Sequence, residues 1–443
     1  MPFLGDKRPH ALLIAIIVFS ILLRVAAAIY MGSRVEALPG VSDQISYHTL
    51  ALRVMAGHGF TFGENWWPAT QAGEPTAHWS YLYTLYLIVV YSLFGVQPLA
   101  ARILQAVVVG LIQPLLVYHI GSRLFNNTVG LLAAALIACY TYLIYYSAAL
   151  MTESFYISAV LAVMLLAVAL IQAEDKLSTA GAAQKRWLAV GLGLSLGAAV
   201  LLRQLFLLFV PFLFLWLAWC GRRKLAQTLV NLSVAGGILV ALIVPITLFN
   251  YSRFGTFVLL NTNAGYAFYW GNHPVYGTHF ESIITPETGN YLELLPIELK
   301  TQRLNEAELD QELLRRGVEF VLEDPGRYVL LSISRIPPYF TFWPTANSSL
   351  LSNLARVSSF GILWPFMLYG AVLALRDLRK NPFSPAALLV FFCLFYTLIH
   401  VLTWTLARYR LPVDAVLISM AAYGLVDLYQ RARARFRQPV TAE

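Results

Sequence analysis

Residues 40–60 read GVSDQISYHTLALRVMAGHGF and follow directly on the first long apolar segment of the chain. The stretch is too polar to cross a bilayer. Asp43, Tyr47, Leu50 and Val54 recur at helical spacing, so a helix here carries them on one face. A lone carboxylate on that face needs a reason. Either Asp43 caps the helix, as Ser, Asp and Asn do, or Ser42 does so and Asp43 points into a cavity from the first turn.

Composition identifies the solvent. The chain has 443 residues, 58% of them hydrophobic and 12% charged, with mean hydropathy +0.65. That is far from a soluble globular average and points to lipid. The net charge of +8 comes from small basic clusters between apolar runs. This is the positive-inside pattern of a multi-span protein, and it argues against nucleic acid as a partner. Cys139, Cys220 and Cys393 lie in or beside apolar segments without metal-site spacing, so neither a disulfide framework nor a zinc site is expected.

A bilayer-spanning helix takes roughly 20 mainly apolar residues. On that basis spans are expected near 11–30, 98–120, 128–148, 154–172, 187–202, 204–220, 226–249, 354–375, 383–402 and 411–429. The first lacks a small-residue cleavage site and reads as a retained span. Lys7/Arg8, Arg123, Lys176/Lys185/Arg186, Arg222/Arg223/Lys224, Arg376/Arg379/Lys380 and the tail QRARARFR then all fall on one, cytoplasmic, side. This agreement requires HWSYLYTLYLIVVYSLFG (residues 78–95) to be interfacial or re-entrant rather than spanning. The expected fold is thus an all-α integral membrane protein of about ten spans. A transmembrane module (1–249) carries a first outer loop (31–97), a mostly helical outer region covers 250–353, and C-terminal spans with a basic tail cover 354–443.

Unusual polar residues concentrate on the outer side, where charge near hydrocarbon is costly, at about 2.5–3.5 kcal/mol for a helix centre. Glu153, in YYSAALMTESFY, is either a first-turn acid favoured by the helix dipole or a second carboxylate facing Asp43. Arg203 interrupts the apolar AVLLRQLFLLF; Arg408 and Arg410 in LARYRLP and Arg102 in PLAARILQ also stand outside. Guanidinium forks suit the phosphate of a lipid head group, although snorkelling, or pairing of Arg410 with Asp414, accounts for each arginine singly. His78 either contacts phosphate or anchors the interfacial helix. NTNAGYAFYWGNHP (261–274) mixes amides and rings of the kind that hold sugars, but a turn-rich loop uses the same residues. The acidic run IELKTQRLNEAELDQELLRRGVEFVLEDPGRY (297–328) reads as a solvated helix with ordinary surface ion pairs.

SDQISYHTLALRVMAGHGF, EPTAHWSYLYTLYLIVVYSLFG, the segment from AARILQ to LMTESF, and ARYRLPVDAVLISMAAYGL together resemble the polytopic glycosyltransferases of the GT-C fold. The similarity is to the protein O-mannosyltransferase-like group (glycosyltransferase family 39), with its bacterial aminoarabinose-transferase relatives. It covers about residues 10–210 and, more loosely, the last 40 or so. It implies transfer of a sugar from a polyprenyl-phosphate carrier on the non-cytoplasmic face, in a bacterial inner membrane, to a lipid, glycan or protein acceptor that the sequence does not name. The resemblance matches Asp43 to the catalytic base, Glu153 to a second acid, and Tyr47 to the tyrosine after the first motif. The chain departs from the pattern at HWS, where His78 replaces an arginine or lysine and the following prolines are missing. The expected phosphate ligands are Arg102, Arg203, Arg408 and Arg410. The expected substrate contacts are Tyr47, His78, Tyr81, Asn261, Asn263, Trp270 and Asn272. No cofactor is required on this reading, and a divalent metal is compatible with it. A flippase for a lipid-linked molecule, or another lipid-linked glycan ligase or polymerase, is the alternative.

Overall fold

A computed structural model describes residues 8–173, 181–282, 291–302, 304–346, 348–376 and 384–437. Lys7, Lys176, Arg379 and Lys380 of the basic clusters lie outside these residues. In chain order the helices are α1 (Arg8–Met31), α2 (Asp43–Met55), α3 (Tyr81–Phe94), α4 (Pro98–Leu124), α5 (Asn127–Cys139), α6 (Thr141–Ala148), α7 (Glu153–Ala173), α8 (Ala182–Leu202), α9 (Val210–Cys220) and α10 (Leu225–Phe254). There follow α11 (Ala264–Asn272), α12 (Ile297–Thr301), α13 (Glu306–Glu323), α14 (Pro325–Ser334), α15 (Ile336–Tyr339), α16 (Leu350–Arg356), α17 (Ile362–Leu375), α18 (Pro385–Leu402) and α19 (Leu411–Arg437). No strand occurs among the described residues.

Eight of the described helical segments are long and apolar enough to cross a membrane, and a ninth passage is α5 with α6, bent by 55°. α16 and α17 form one span, joined by a π turn over Val357–Gly361. The tenth expected span, 204–220, is not one helix: a 3-10 turn Gln204–Leu208 precedes the short α9. Packing nonetheless makes it a passage. A side chain at Gly193 would meet the Ala235 backbone and one at Gly197 would meet Leu242, so α8 and α10 run parallel. The chain must then return between them, and residues 204–220 are that return. About 10 Å of 3-10 turn and about 17 Å of α-helix come close to the ~30 Å hydrocarbon thickness.

The helix directions sort the bundle into two ends. Asp43, Glu153, Arg203 and Arg408 begin or end their elements at one end. Arg123, Lys185, Arg222, Arg376 and Arg431 sit at the termini that lie at the other. At the first end, α2, α3 and α11–α15 build a cap over the spans. α3 is 14 residues long, started by Ser80, whose hydroxyl accepts from the Tyr83 amide.

The acidic run of the cap differs from the solvated helix expected. Arg315 and Arg316 do pair with Glu298, Glu312 and Glu319 at the surface. Glu306 and Asp310 are buried instead. Glu306 accepts from Thr70 Oγ1 (2.6 Å), the Ala77 amide (2.8 Å) and the Thr262 hydroxyl. Asp310 accepts from the Gly265 and Tyr266 amides at the start of α11 (2.9 and 3.1 Å). A charge-patterned helix can hide an acid wherever a neighbouring backbone offers donors, and that neighbour is 40 or more residues away in sequence. Burial raises the Asp310 carboxyl to about 7, against the pull of those two amides.

Candidate active site

No side chain caps α2: neither Ser42 nor Asp43 bonds a free backbone N–H of its first turn. Asp43 is the first helical residue, and its carboxylate faces the Ala407–Arg410 turn, where Arg408 Nη2 lies 2.8 Å from Oδ2. The other oxygen, Oδ1, receives only a 3.4 Å contact from the Ser42 hydroxyl. Glu153 opens α7 and is 2% exposed. Its Oε1 pairs with Arg203 Nη2 and lies 3.7 Å from Arg408 Nε. Arg203 is the extended residue that stops α8; its Nε reaches the Thr152 hydroxyl at 3.4 Å.

Two carboxylates and two guanidiniums thus meet from four separate elements, in the order Asp43–Arg408–Glu153–Arg203. Tyr409 lies between the arginines, with its ring centroid 5.3 Å from the Arg203 guanidinium and 5.5 Å from that of Arg408. Tyr156 supports Arg203 from below at 5.5 Å. Arg408 Nη1 also donates to the Gly40 carbonyl (3.1 Å), which Tyr146 OH approaches at 3.4 Å. Tyr409, Tyr156 and Tyr146 join the site without being expected there from the sequence. Tyr409 carried a signal, an aromatic ring between two arginines at a membrane surface; the others look like ordinary span-end residues.

Tyr47 is one turn beyond Asp43, with its ring edge-on to Trp79 and Tyr83 (5.4 and 4.9 Å). Its hydroxyl accepts from the Ser80 amide at 3.4 Å. Burial, reinforced by the Asp43 and Glu153 charges, pushes the phenol pKa up and keeps it neutral. Burial pulls the His78 pKa down, against the opposing charge of Glu306 and, less, of Asp43. Its Nδ1 lies 3.0 Å from the Thr262 carbonyl, which can only accept, so Nδ1 carries the proton. A neutral imidazole is no cationic phosphate ligand.

The remaining predicted residues do not converge on the quartet. Arg102 is buried and donates to the carbonyls of Ala148 and Arg34 and to Gln44 Oε1, bracing α2 against α4 and α6. Arg410 is closed within a pair with Asp414 (3.0 Å), donates to the Tyr339 carbonyl and lies over Phe360. Both arginines are therefore structural ties rather than the expected phosphate ligands. Tyr81 bonds Asn250 Oδ1 (2.7 Å); Asn261 holds the carbonyls of Ala77 and Trp79, and Asn263 accepts from Gln204. Trp270 is buried and donates to the Tyr291 carbonyl, and Asn272 accepts from Arg335. The amide-rich loop expected to hold sugar is held by its own protein contacts, as turn-rich loops are.

An apolar groove of about 450 Å³ opens along the lipid-facing flank of α10. It is lined by Leu207, Leu239, Ile243, Thr247, Phe257 and Leu259, and Leu207 lies one turn beyond Arg203. Among the described residues no group of three or more His, Cys, Asp or Glu is placed to hold a metal ion.

Residues 80–249, less than half of the chain, match the family model described as dolichyl-phosphate-mannose-protein mannosyltransferase. The match includes Glu153 and Arg203 but neither Asp43 nor Arg408. No curated protein sequence matches the chain. The apo oligosaccharyltransferase of Archaeoglobus fulgidus superposes with a TM-score of 0.62 at 17% identity, covering 98% of this chain and 52% of that one. The oligosaccharyltransferase AglB from Archaeoglobus fulgidus, in complex with an inhibitory peptide and a dolichol-phosphate, gives 0.59 at 16% identity, with 99% and 52% covered. ArnT from Cupriavidus metallidurans bound to undecaprenyl phosphate gives 0.42 at 15%, covering 99% and 82%, too low a TM-score to carry an argument. The chain thus spans about half the length of the archaeal enzymes whose fold it shares. The fold is that of the polytopic GT-C glycosyltransferases, and the resemblance read from the sequence stands.

Proposed function

We propose that the protein is a membrane glycosyltransferase that moves a sugar from a polyprenyl-phosphate donor to an acceptor hydroxyl or amine at the non-cytoplasmic face. The observation that carries this reading is the Asp43–Arg408–Glu153–Arg203 quartet. The end of the bundle away from the quartet bears the arginines and lysines that the positive-inside rule assigns to the cytoplasm, which supports an outward-facing site.

The chemistry assigns each member a task. The acceptor oxygen or nitrogen attacks the anomeric carbon as the bond to the phosphate oxygen breaks, with inversion. Asp43 Oδ1 takes the proton. The transfer comes late, after the attacking atom has gained positive charge, so it asks for a well-placed acceptor more than a strong base. Arg203 and Arg408 stabilise the departing phosphate with donors beyond those that hold Glu153, Thr152, Asp43 and Gly40. Glu153 keeps the two guanidiniums in register, since a lone buried arginine pair would repel. The groove along α10, whose lining includes Leu207 four residues after Arg203, receives the first isoprene units of the donor. No metal enters this scheme, because the two guanidiniums supply the positive charge; transfer should be unchanged by a chelator.

The test compares envelope lipids, glycans and glycoproteins by mass spectrometry between a deletion strain and strains complemented with wild type or Asp43→Asn. A sugar lost in the deletion and restored by wild type alone, with accumulation of a polyprenyl-phosphate sugar, is the expected result. Full restoration by Asp43→Asn would remove the base assignment. Unaltered glycans with a changed distribution of a lipid-linked substrate across the membrane would instead make the protein a transporter.

A further inference from the structure

The exposed surface of α14 and the residues just after it is apolar: Arg327 and Ser334 are only partly exposed, and they turn to the Asn272 and Leu331 carbonyls. Between Pro325 and Pro337 every exposed residue is proline, glycine or aliphatic. Val329, Leu330, Ile333 and Ile336 are 54%, 54%, 55% and 43% exposed. Val329, Ile333 and Ile336 fall at i, i+4 and i+7, so they form one row, with Leu330 on its flank. The opposite row, Tyr328, Leu331, Ser332 and Arg335, faces the protein.

That inner row fixes where the outer one lies. Tyr328 OH donates to the Leu402 carbonyl (3.0 Å) and Arg335 Nη1 to the Val401 carbonyl (3.1 Å). Both acceptors belong to the last turn of α18, a spanning helix that turns Leu394 and Leu398 outward, 66% and 54% exposed. α14 is therefore tied to the level at which a span leaves the hydrocarbon, and its apolar row is exposed at that level.

We propose that α14 lies in the plane of the membrane interface, with Val329, Leu330, Ile333 and Ile336 among acyl chains just below the head groups. The partner of this row is the bilayer itself. In water such an aliphatic row is a liability, whereas amphipathic helices of this kind embed about 5–10 Å into the head-group boundary. The row holds no basic residue, so the attraction is apolar and indifferent to head-group charge. A consequence reaches the quartet. Arg335 also donates to the Gly271 carbonyl and to Asn272 Oδ1 (2.8 Å), joining α11 to the end of α18. The strap from Thr403 to Arg408 starts at that end. The seating of α14 thus sets the depth of the arginine turn beneath the head groups.

The test is nitroxide labelling of full-length protein in lipid nanodiscs, with Cys139 and Cys220 replaced by Ala. Labels at Ile333→Cys and Val329→Cys should be quenched several-fold more by oxygen than by a water-soluble nickel chelate. Glu323→Cys, at the exposed end of α13, should show the reverse. The pattern should be the same in phosphatidylcholine and in phosphatidylcholine/phosphatidylglycerol discs. Equal nickel access at Ile333 and Glu323 would overturn the proposal, as would a depth that depends on phosphatidylglycerol. Immobilisation that grows with protein concentration would assign the row to a second copy of the chain instead. The test uses no substrate, so its outcome is independent of the activity proposed above.

Discussion

Arg408 and Arg410 leave the same short turn, and each pairs with an aspartate. The Arg410–Asp414 pair is sealed, with side chains 1% and 0% exposed, and Tyr140 OH closes the carboxylate at 2.6 Å. It lies where three irregularities converge: the break between α5 and α6 at Tyr140, the π turn that carries Phe360, and the 3-10 turn itself. The Arg408–Asp43 pair is 11% and 25% exposed, and Asp43 Oδ1 has only a long contact to Ser42. The two pairs are alike in chemistry and differ in satisfaction. A pair whose atoms are all engaged by protein holds the fold together, and one with capacity left at a surface can act on a substrate.

The largest expected effect breaks the sealed pair. Asp414→Ala leaves the Arg410 charge buried and alone, which should lower stability by about 3–5 kcal/mol. Thermal unfolding in detergent measures it, and an Arg410→Met/Asp414→Leu double variant should recover most of the loss. If Asp43→Ala destabilises as much as Asp414→Ala, the distinction between the pairs fails.

Next comes the open pair. Asp43→Asn should leave the unfolding temperature close to wild type while transfer falls by about 10²–10⁴-fold, the span of a general base. Arg203→Gln should reduce turnover by on the order of 10², with weaker use of the lipid donor, because an electrostatic contact to the leaving phosphate goes. Unchanged donor affinity and rate would confine Arg203 to holding Glu153.

Smaller again is Tyr140→Phe, which removes one hydrogen bond to Asp414 and should cost about 1 kcal/mol by the same unfolding assay. The smallest effect is local to α11–α13. Asp310 in the folded cap titrates near 7, against an ordinary value of 3.8. Between those values the unfolded chain has lost the proton that the folded cap keeps, so stability falls as pH rises from about 4 to about 7 and then levels off. Hydrogen exchange at the Gly265 and Tyr266 amides should therefore quicken from pH 5 to pH 8 beyond the intrinsic dependence. Asp310→Asn, which keeps an acceptor but cannot ionise, should remove the excess.

The contrast also marks the limits of legibility. Spans could be read because hydrocarbon demands a long apolar run, and even the broken passage at 204–220 keeps that composition. The sequence left Asp43 between cap and cavity, because both use the same residue at the same place; only the absence of a capping bond in α2 decides it. Arg102 and Arg203 look equivalent in sequence, each an arginine beside an apolar run. One is enclosed by carbonyls 46 and 68 residues away, and the other faces Glu153. Glu306 and Asp310 look solvated in the sequence because helical periodicity tells which residues share a face, not what that face meets.

The sequence by itself determined the solvent, the approximate number and direction of the passages, and the side on which the rare charges collect. These follow from the cost of moving charge and unpaired backbone into hydrocarbon, a property of each segment alone. Tertiary structure alone decided which charges act together. An ion pair works over a few ångströms, and α2, α7, the end of α8 and the turn before α19 bring Asp43, Glu153, Arg203 and Arg408 that close only once the helices pack.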